Sequence, residues 1–265
     1  MGVLEGHVAL VTGGGSGIGA AVAIALARAG AAVSIMDVDL DAARDVAKTI
    51  ERERDARCFL VAGDVAEAAA VAHAVGATSE ALGAPGILVN NAGFMAPRLV
   101  PMEELGEAEF DAMLGVHVRG TFLMSSAVLP AMKQRRFGRI VNLSSILGLV
   151  GFPYRAAYST AKSAIVGFTR GLAVETARFG ITVNAVAPGY VLTQALRARI
   201  DAGLLDHDVF AERTPVGRWA RPEEIARLVS FLAEPASAYI TGTTIAIDGG
   251  FSVRGDPNEF IGVNQ

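Results

Sequence analysis

Thr12-Gly13-Gly14-Gly15-Ser16-Gly17-Ile18-Gly19 decides how this chain folds. It follows the apolar run His7–Thr12 and opens a segment with helical spacing, Ile18–Arg28. Glycines at such a junction let backbone amides approach an anion at a helix N-terminus, where the helix dipole favours negative charge. A glycine-rich turn alone is weak evidence. Strand before and helix after is the context that makes it a nucleotide-binding βαβ unit.

Outward from that unit the same alternation continues. Apolar runs at 32–36, 57–62, 87–90, 139–143, 182–187 and 244–248 read as strands buried on both faces. Helical spacing occupies 41–54, 65–81, 102–132, 157–179 and 222–232. Asp39 suits a helix cap, Pro222 a first turn, and Gly30 and Gly180 helix ends. The pattern predicts an α/β fold: one doubly wound parallel sheet with helices on both faces, spanning 1–250. The long irregular stretch at about 190–216, with short helices expected at 195–200 and 204–210, reads as a lid. Residues 251–265 form a C-terminal tail, either frayed or packed on a neighbouring subunit.

Composition narrows the function classes. The 265 residues are 52% hydrophobic and 19% charged, with a formal net charge of −4. A mildly acidic chain without a basic run argues against nucleic acid or an anionic membrane surface as partner. The single cysteine, Cys58, allows no intrachain disulfide and no cysteine-rich zinc site, and reads as strand packing. No secretory or myristoylation pattern opens the chain, and 18–26 is too short to span a bilayer. A cytoplasmic protein is the default expectation, and no metal ligand set is expected.

Asp37 stands eighteen residues past Gly19, at the end of the second strand. A carboxylate there accepts ribose hydroxyls and repels a 2′-phosphate, and no Arg or Lys lies in the loop or directly after it. Both features favour NAD, with NADP the lesser alternative. The plainer role for Asp37 is a helix cap, and the two can coexist.

The second informative stretch is Tyr158-Ser159-Thr160-Ala161-Lys162, with Ser145 thirteen residues earlier. Four residues of helix put Tyr158 and Lys162 on one face, where an ammonium lowers the pKa of a phenol. Such a phenol exchanges protons with an alcohol or ketone, and Ser145 orients the substrate oxygen. In isolation the pair would be ordinary surface residues. In company with the glycine loop, with Asp64-Val65, Asn90-Asn91-Ala92-Gly93, Pro188-Gly189 with Thr193, and Asp248-Gly249-Gly250, it is not.

With these motifs in order, the chain resembles the short-chain dehydrogenase/reductase family from about residue 7 to 250. The resemblance implies a Rossmann domain with sheet order 3-2-1-4-5-6-7 and a homotetramer. It implies that Gly13, Gly15, Ser16, Gly17, Ile18, Gly19 and Asp37 hold the dinucleotide, with Asp64 and Val65 at the adenine. Asn91, Ala92 and Gly93 would form the floor under the adenosine ribose. Pro188, Gly189, Val191 and Thr193 would hold the nicotinamide carboxamide. Tyr158 would be the acid/base, Ser145 the polarising hydroxyl, and Lys162 the ribose ligand that lowers the tyrosine pKa, with Ser144 structural. The chain departs from the family at His117, where an asparagine is usual in a proton relay. Histidine can sustain the relay and make it pH-sensitive, or be a packing substitution with the backbone still serving.

Around the reacting end the sequence places Phe94, Met95, Pro97, Leu147, Phe152, Tyr190 and Leu196, an apolar lining that suits a hydrophobic secondary alcohol or its ketone. Arg155, Arg197 and Arg199 are the cations nearby, read as solvated lid charges of which one could bind a carboxylate. The expected activity is NAD-dependent alcohol dehydrogenation or ketone reduction. The alternatives are a 3-oxoacyl-[acyl-carrier-protein] reductase using NADPH and a catalytically silent dinucleotide-binding regulator.

Overall fold

The computed structural model describes residues 2–52, 56–95 and 99–255. Pro97, the end of the predicted 41–54 helix and the tail from 256 onward lie outside the described residues.

The elements follow in order: β1 Val8–Thr12, α1 Gly17–Arg28, β2 Ala32–Asp37, α2 Leu40–Glu51, β3 Cys58–Ala62, α3 Ala68–Ala81 and β4 Ile87–Asn90. Then come α4 Glu107–Leu114, α5 Gly120–Arg135, β5 Gly138–Leu143, α6 Ala156–Thr176 and β6 Ile181–Pro188. The last are α7 Gln194–Asp201, α8 His207–Arg213, α9 Pro222–Ala233 and β7 Thr244–Ile247. The seven strands form one sheet in the order β3-β2-β1-β4-β5-β6-β7, and every pairing is parallel. The fold predicted from strand–helix alternation is therefore the fold observed.

Side chains alternate between the two faces of each strand. Val11, Ile35, Val89 and Val141 meet α1 and α9 on one face, through Val22, Leu26, Ile225 and Val229. Leu10, Met36, Leu88 and Ile140 meet α5 and α6 on the other, through Met124, Val128, Met132 and Leu172. Each such large side chain contributes about 1.5–3 kcal/mol by leaving water. Cys58 packs beside the first cluster, and its burial pushes the thiol up to about 12. It is an inert packing residue.

Local signals set the helix ends. Asp39 caps α2 by accepting from the amides of Asp41 and Ala42, each at 3.1 Å. Pro222 opens α9. Gly30 and Gly180 leave their helices with φ of 105° and 73°, conformations that favour glycine. α3 starts later than expected, because Asp64 accepts from the Ala66 amide at 2.8 Å and holds a turn there.

The continuous helix expected over 102–132 is corrected. A 3₁₀ turn at Met102–Glu104 stands apart, and a π turn over Gly115–Arg119 separates α4 from α5. By length and composition the run Glu107–Arg135 is apolar enough to cross a membrane. Here its apolar side is spent on the sheet, with Met124 and Met132 fully enclosed.

Candidate active site

The sheet changes direction between β1 and β4, and the loops leaving these strands are tied together. Thr12 Oγ1 donates to the Val89 carbonyl at 3.3 Å and accepts from the amides of Asn91 and Ala92, both at 3.0 Å. Asn91 Nδ2 donates back to the carbonyls of Thr12 and Gly13 at 3.0 and 2.9 Å. Asn91 and Ala92 thus brace the glycine loop at the crevice where open α/β sheets bind ligands.

The loop's glycines are required by close approach. A Cβ on Gly13 would lie 2.9 Å from the Ala92 Cα, and one on Gly19 would collide with the Gly13 carbonyl and the Asn91 amide. Gly17 has φ of 53°, and a Cβ there would come 3.2 Å from the Thr193 methyl. Thr193 therefore lies against the glycine loop. It also caps α7 by accepting from the Leu196 amide. Asp37 Oδ2 accepts from the Gly15 amide at 2.8 Å, and Oδ1 from the Asp39 amide at 3.0 Å. It caps no helix; it leans over the loop that opens α1. Val65 is buried against Gly120, and Asp64 before it is exposed. Gly189 passes so close to Asp248 that a Cβ would sit 2.8 Å from the Asp248 Cα, and Val191 is buried beside a bridge to Ala220.

Ser145 leaves β5 with its Oγ accepting from the Leu147 amide at 3.2 Å. Ser144, beside it, donates to the Lys162 carbonyl at 2.9 Å and fastens the loop to α6. That is the structural role expected of it. Tyr158 and Lys162 share one face of α6. The Lys162 ammonium lies 5.6 Å from the Tyr158 ring centroid and donates to the Leu143 carbonyl at 2.7 Å.

The electrostatics differ from expectation. Burial raises the Tyr158 pKa, against a hydrogen bond from Ser145 and the charge of Arg155, both of which lower it. Lys162 carries its charge on the same side of the helix, 5.6 Å from the ring centroid. Its own pKa is pushed down to about 7 by burial, so at neutral pH its ammonium is only partly charged.

His117 is buried in the π turn. Its Nε2 lies 2.9 Å from the Phe94 carbonyl and 3.2 Å from the Phe94 amide. Nδ1 is buried without a hydrogen-bond partner. Burial, then the Lys162 charge, push its pKa down to about 3, against a hydrogen bond at Phe94. Of the two readings of His117, this favours the one without titration: the imidazole is neutral across the ordinary pH range. Gly93 is needed beside it, since any Cβ there would run into the ring.

Phe152 and Tyr190 belong to an aromatic wall. Tyr190 stacks at 4.5 Å on Phe210 and 5.1 Å from Trp219, and Phe152 lies 6.2 Å from Phe210. Phe251, at the start of the tail, packs edge-on to Tyr190 at 5.5 Å. Leu147 is half-buried beside Ser145, while Phe94 and Met95 are exposed. Arg197 is exposed as predicted, but Arg155 is not a solvated lid charge: it is half-buried at the N-terminus of α6.

The sequence pattern assigned no positioning role to several residues that have one. Asn142 Nδ2 donates to Thr169 at 2.9 Å, and Asn90 Nδ2 donates to Asn142 Oδ1 at 2.8 Å and to Ser125 at 3.2 Å. This buried chain joins β4 and β5 to α5 and α6. Polar residues in otherwise apolar strand runs were the available signal. Thr12, at the mouth of the glycine loop, was another.

A family model described as enoyl-(acyl carrier protein) reductase matches residues 13–252. The cis-4-hydroxycyclohexanecarboxylate dehydrogenase of Sinomonas cyclohexanicum is 41% identical over 215 residues, 80% of this chain and 83% of that protein. Among solved structures, levodione reductase is similar with a TM-score of 0.90 at 34% identity, covering 94% of this chain and 99% of its own. A gluconate 5-dehydrogenase from Burkholderia cenocepacia J2315, in complex with NADP and tartrate, reaches 0.87 at 36% identity, covering 95% and 97%.

Proposed function

The chain belongs to the short-chain dehydrogenase/reductase family of oxidoreductases, and from that premise we propose that it interconverts a hydrophobic secondary alcohol and its ketone using NAD(H). The observation that carries this reading is the meeting of Ser145, Tyr158 and Lys162 at the end of the crevice that begins at the glycine loop.

The crevice fits a dinucleotide, because Gly13, Gly17 and Gly19 keep backbone and crevice free of the Cβ atoms that other residues would place there. Gly15, Ser16 and Ile18 complete the turn and hold the pyrophosphate at the N-terminus of α1. Asp37 binds the adenosine ribose, Asp64 and Val65 the adenine, and Asn91, Ala92 and Gly93 the floor. Pro188, Gly189, Val191 and Thr193 hold the nicotinamide end. When bound, the nicotinamide accepts or supplies hydride. Ser145 donates a hydrogen bond to the substrate oxygen. Tyr158 takes the hydroxyl proton during oxidation and returns it during reduction. Lys162 binds the nicotinamide ribose and passes protons from Tyr158 toward the His117 turn.

The stretch from 190 to 216, with α7 and α8, closes over the substrate as a lid. Leu147, Phe152 and Tyr190 line its apolar side, and the relative named for a hydroxycyclohexane substrate supports a ring-bearing alcohol. The exposed apolar residues Phe122 on α5 and Val174 on α6 support assembly through these helices into a homotetramer, which size-exclusion chromatography with light scattering tests.

The NAD preference rests on the Asp37 carboxylate. The solved NADP complex of a similar dehydrogenase and the acyl-carrier description of the matching model favour the second reading, an NADPH-linked reductase of carrier-bound acyl groups. An absorbance screen of NADH and NADPH over cyclic, aromatic and acyl substrates decides between them. A strong NADPH preference would overturn the NAD assignment.

A further inference from the structure

Neither the dinucleotide crevice nor the proton path uses the Arg155 guanidinium. Its Nη1 is shut off from solvent and has no hydrogen-bond partner. No ion pair of Arg155 occurs among the described residues. The charge of a second cation, Arg199 of α7, acts on it, as do the phenols of Tyr190 and Tyr158. Arginine keeps its charge in proteins and presents five donors in a planar fork. A half-buried cation beside a second cation, without a counter-ion, is costly to fold around. Native structures rarely leave such a donor unmatched without a reason.

Its position supplies the reason. Arg155 stands immediately before α6, three positions ahead of Tyr158, and the Tyr158 phenol is among the groups that act on its charge. Tyr154, just before it, takes φ of 60°, a conformation bulky residues seldom adopt outside functional turns. Tyr190, whose phenol acts on the guanidinium, belongs to the aromatic wall it forms with Phe210, Trp219 and, through Phe210, Phe152. A ligand whose hydroxyl carbon meets Ser145 and Tyr158 therefore runs along aromatic faces and ends against a cation that lacks an anion.

The geometry points to Arg155, assisted by Arg199, as the residue that holds a carboxylate at the far end of the substrate. The substrate class is then an apolar, ring-bearing hydroxy acid and its oxo acid. A carboxylate matches the guanidinium fork with two parallel hydrogen bonds and neutralises the Arg155–Arg199 repulsion. It is unchanged by the reaction, which oxidises only the distant hydroxyl carbon. The inference rests on the dehydrogenase reading above and adds to it the charge of the substrate.

The test compares a hydroxy acid with its neutral form. The purified full-length enzyme is assayed with cis-4-hydroxycyclohexanecarboxylate and with its methyl ester, as wild type, Arg155→Met and Arg155→Lys. The expected wild-type preference for the acid is about thirtyfold or more in kcat/KM, carried mainly by KM, from the loss expected when a buried charge pair is broken. Arg155→Met erases the preference and Arg155→Lys restores part of it. Binding is read separately: cyclohexanecarboxylate, which has no hydroxyl to oxidise, raises the melting temperature of the wild-type enzyme with NADH. Cyclohexanecarboxamide does not, and neither ligand does so in Arg155→Met. Equal turnover of ester and acid, or an acid preference that survives Arg155→Met, overturns the carboxylate site and leaves the dehydrogenase reading standing. No nucleotide-linked turnover of acids or neutral alcohols across the broad panel overturns both. Should Arg155→Met fail to fold, the acid–ester comparison in the wild type and Arg155→Lys decide the matter.

Discussion

His117 presents its imidazole edge-on to the Tyr158 ring, with centroids 5.6 Å apart and planes at 85°. The contact places a buried, neutral imidazole next to the proposed acid/base, within the electrostatic field of Lys162. A neutral ring there can pass hydrogen bonds but does not titrate near neutral pH.

Substituting His117→Asn should therefore leave the shape of the turnover pH profile between pH 6 and 9 unchanged. A limb near 6.5 that disappears in the variant would show that the imidazole does titrate. Stability should respond instead. The folded-state pKa, about 3, lies below the free value of 6.5, so between these the unfolded chain binds the extra proton. Stability from this group is complete above pH 6.5 and falls as pH drops toward 3, at up to about 1.4 kcal/mol per pH unit. Urea titrations at pH 7, 5 and 4 should show a shallower loss in His117→Asn than in the wild type.

Ser145→Ala should lower kcat by roughly 10²–10³, as when one donor to a developing oxyanion is removed. The residual activity carries a further signature. Ser145 favours the phenolate of Tyr158 against burial, so without it the rising limb of alcohol oxidation moves to higher pH. A limb that stays in place would mean another group sets the ionisation.

Asp37→Ser should shift the ratio of NAD to NADP kcat/KM by roughly tenfold or more toward NADP, equivalent to about 1.4 kcal/mol. Asp37 also accepts from the Gly15 amide, so some loss with both nucleotides accompanies the shift. An unchanged ratio would remove Asp37 from nucleotide selection.

Gly93→Ala should destabilise the protein by about 1–3 kcal/mol through overpacking, because its methyl would enter the His117 ring. In a double-mutant cycle with His117→Asn the penalties should fall short of additive by 0.5 kcal/mol or more, as expected of residues in contact. Additive values would mean the two positions do not compete for space.

These outcomes also mark what a sequence can carry. The strands were legible to within a residue or two, because runs such as Ile87–Asn90 are buried on both faces and leave little ambiguity of period. The glycine loop and the Tyr158–Lys162 step were legible because their chemistry depends on local spacing. The break at Gly115–Arg119 was not, although Gly115 opens it and Gly120 follows it, because single glycines are tolerated within a helical pattern and the π turn has no further residue signal. Nor were the charge states. Lys162 is depressed by enclosure between β5 and α6, and Arg155 is half-buried under the influence of Arg199 and Tyr190 from far along the chain. Burial of that kind belongs to the assembled fold.

The π turn also fixes a phase. A widened turn accommodates one residue more than a regular helix would, and one residue corresponds to about 100° of rotation. Met124, Val128 and Met132 face the sheet only because that extra residue precedes them. Deleting one residue from the turn would regularise the helix and swing this apolar stripe a quarter-turn or more away from the strands. The segment carrying His117 is thus also an indexing device for α5: its irregularity keeps the downstream helix in step with the sheet.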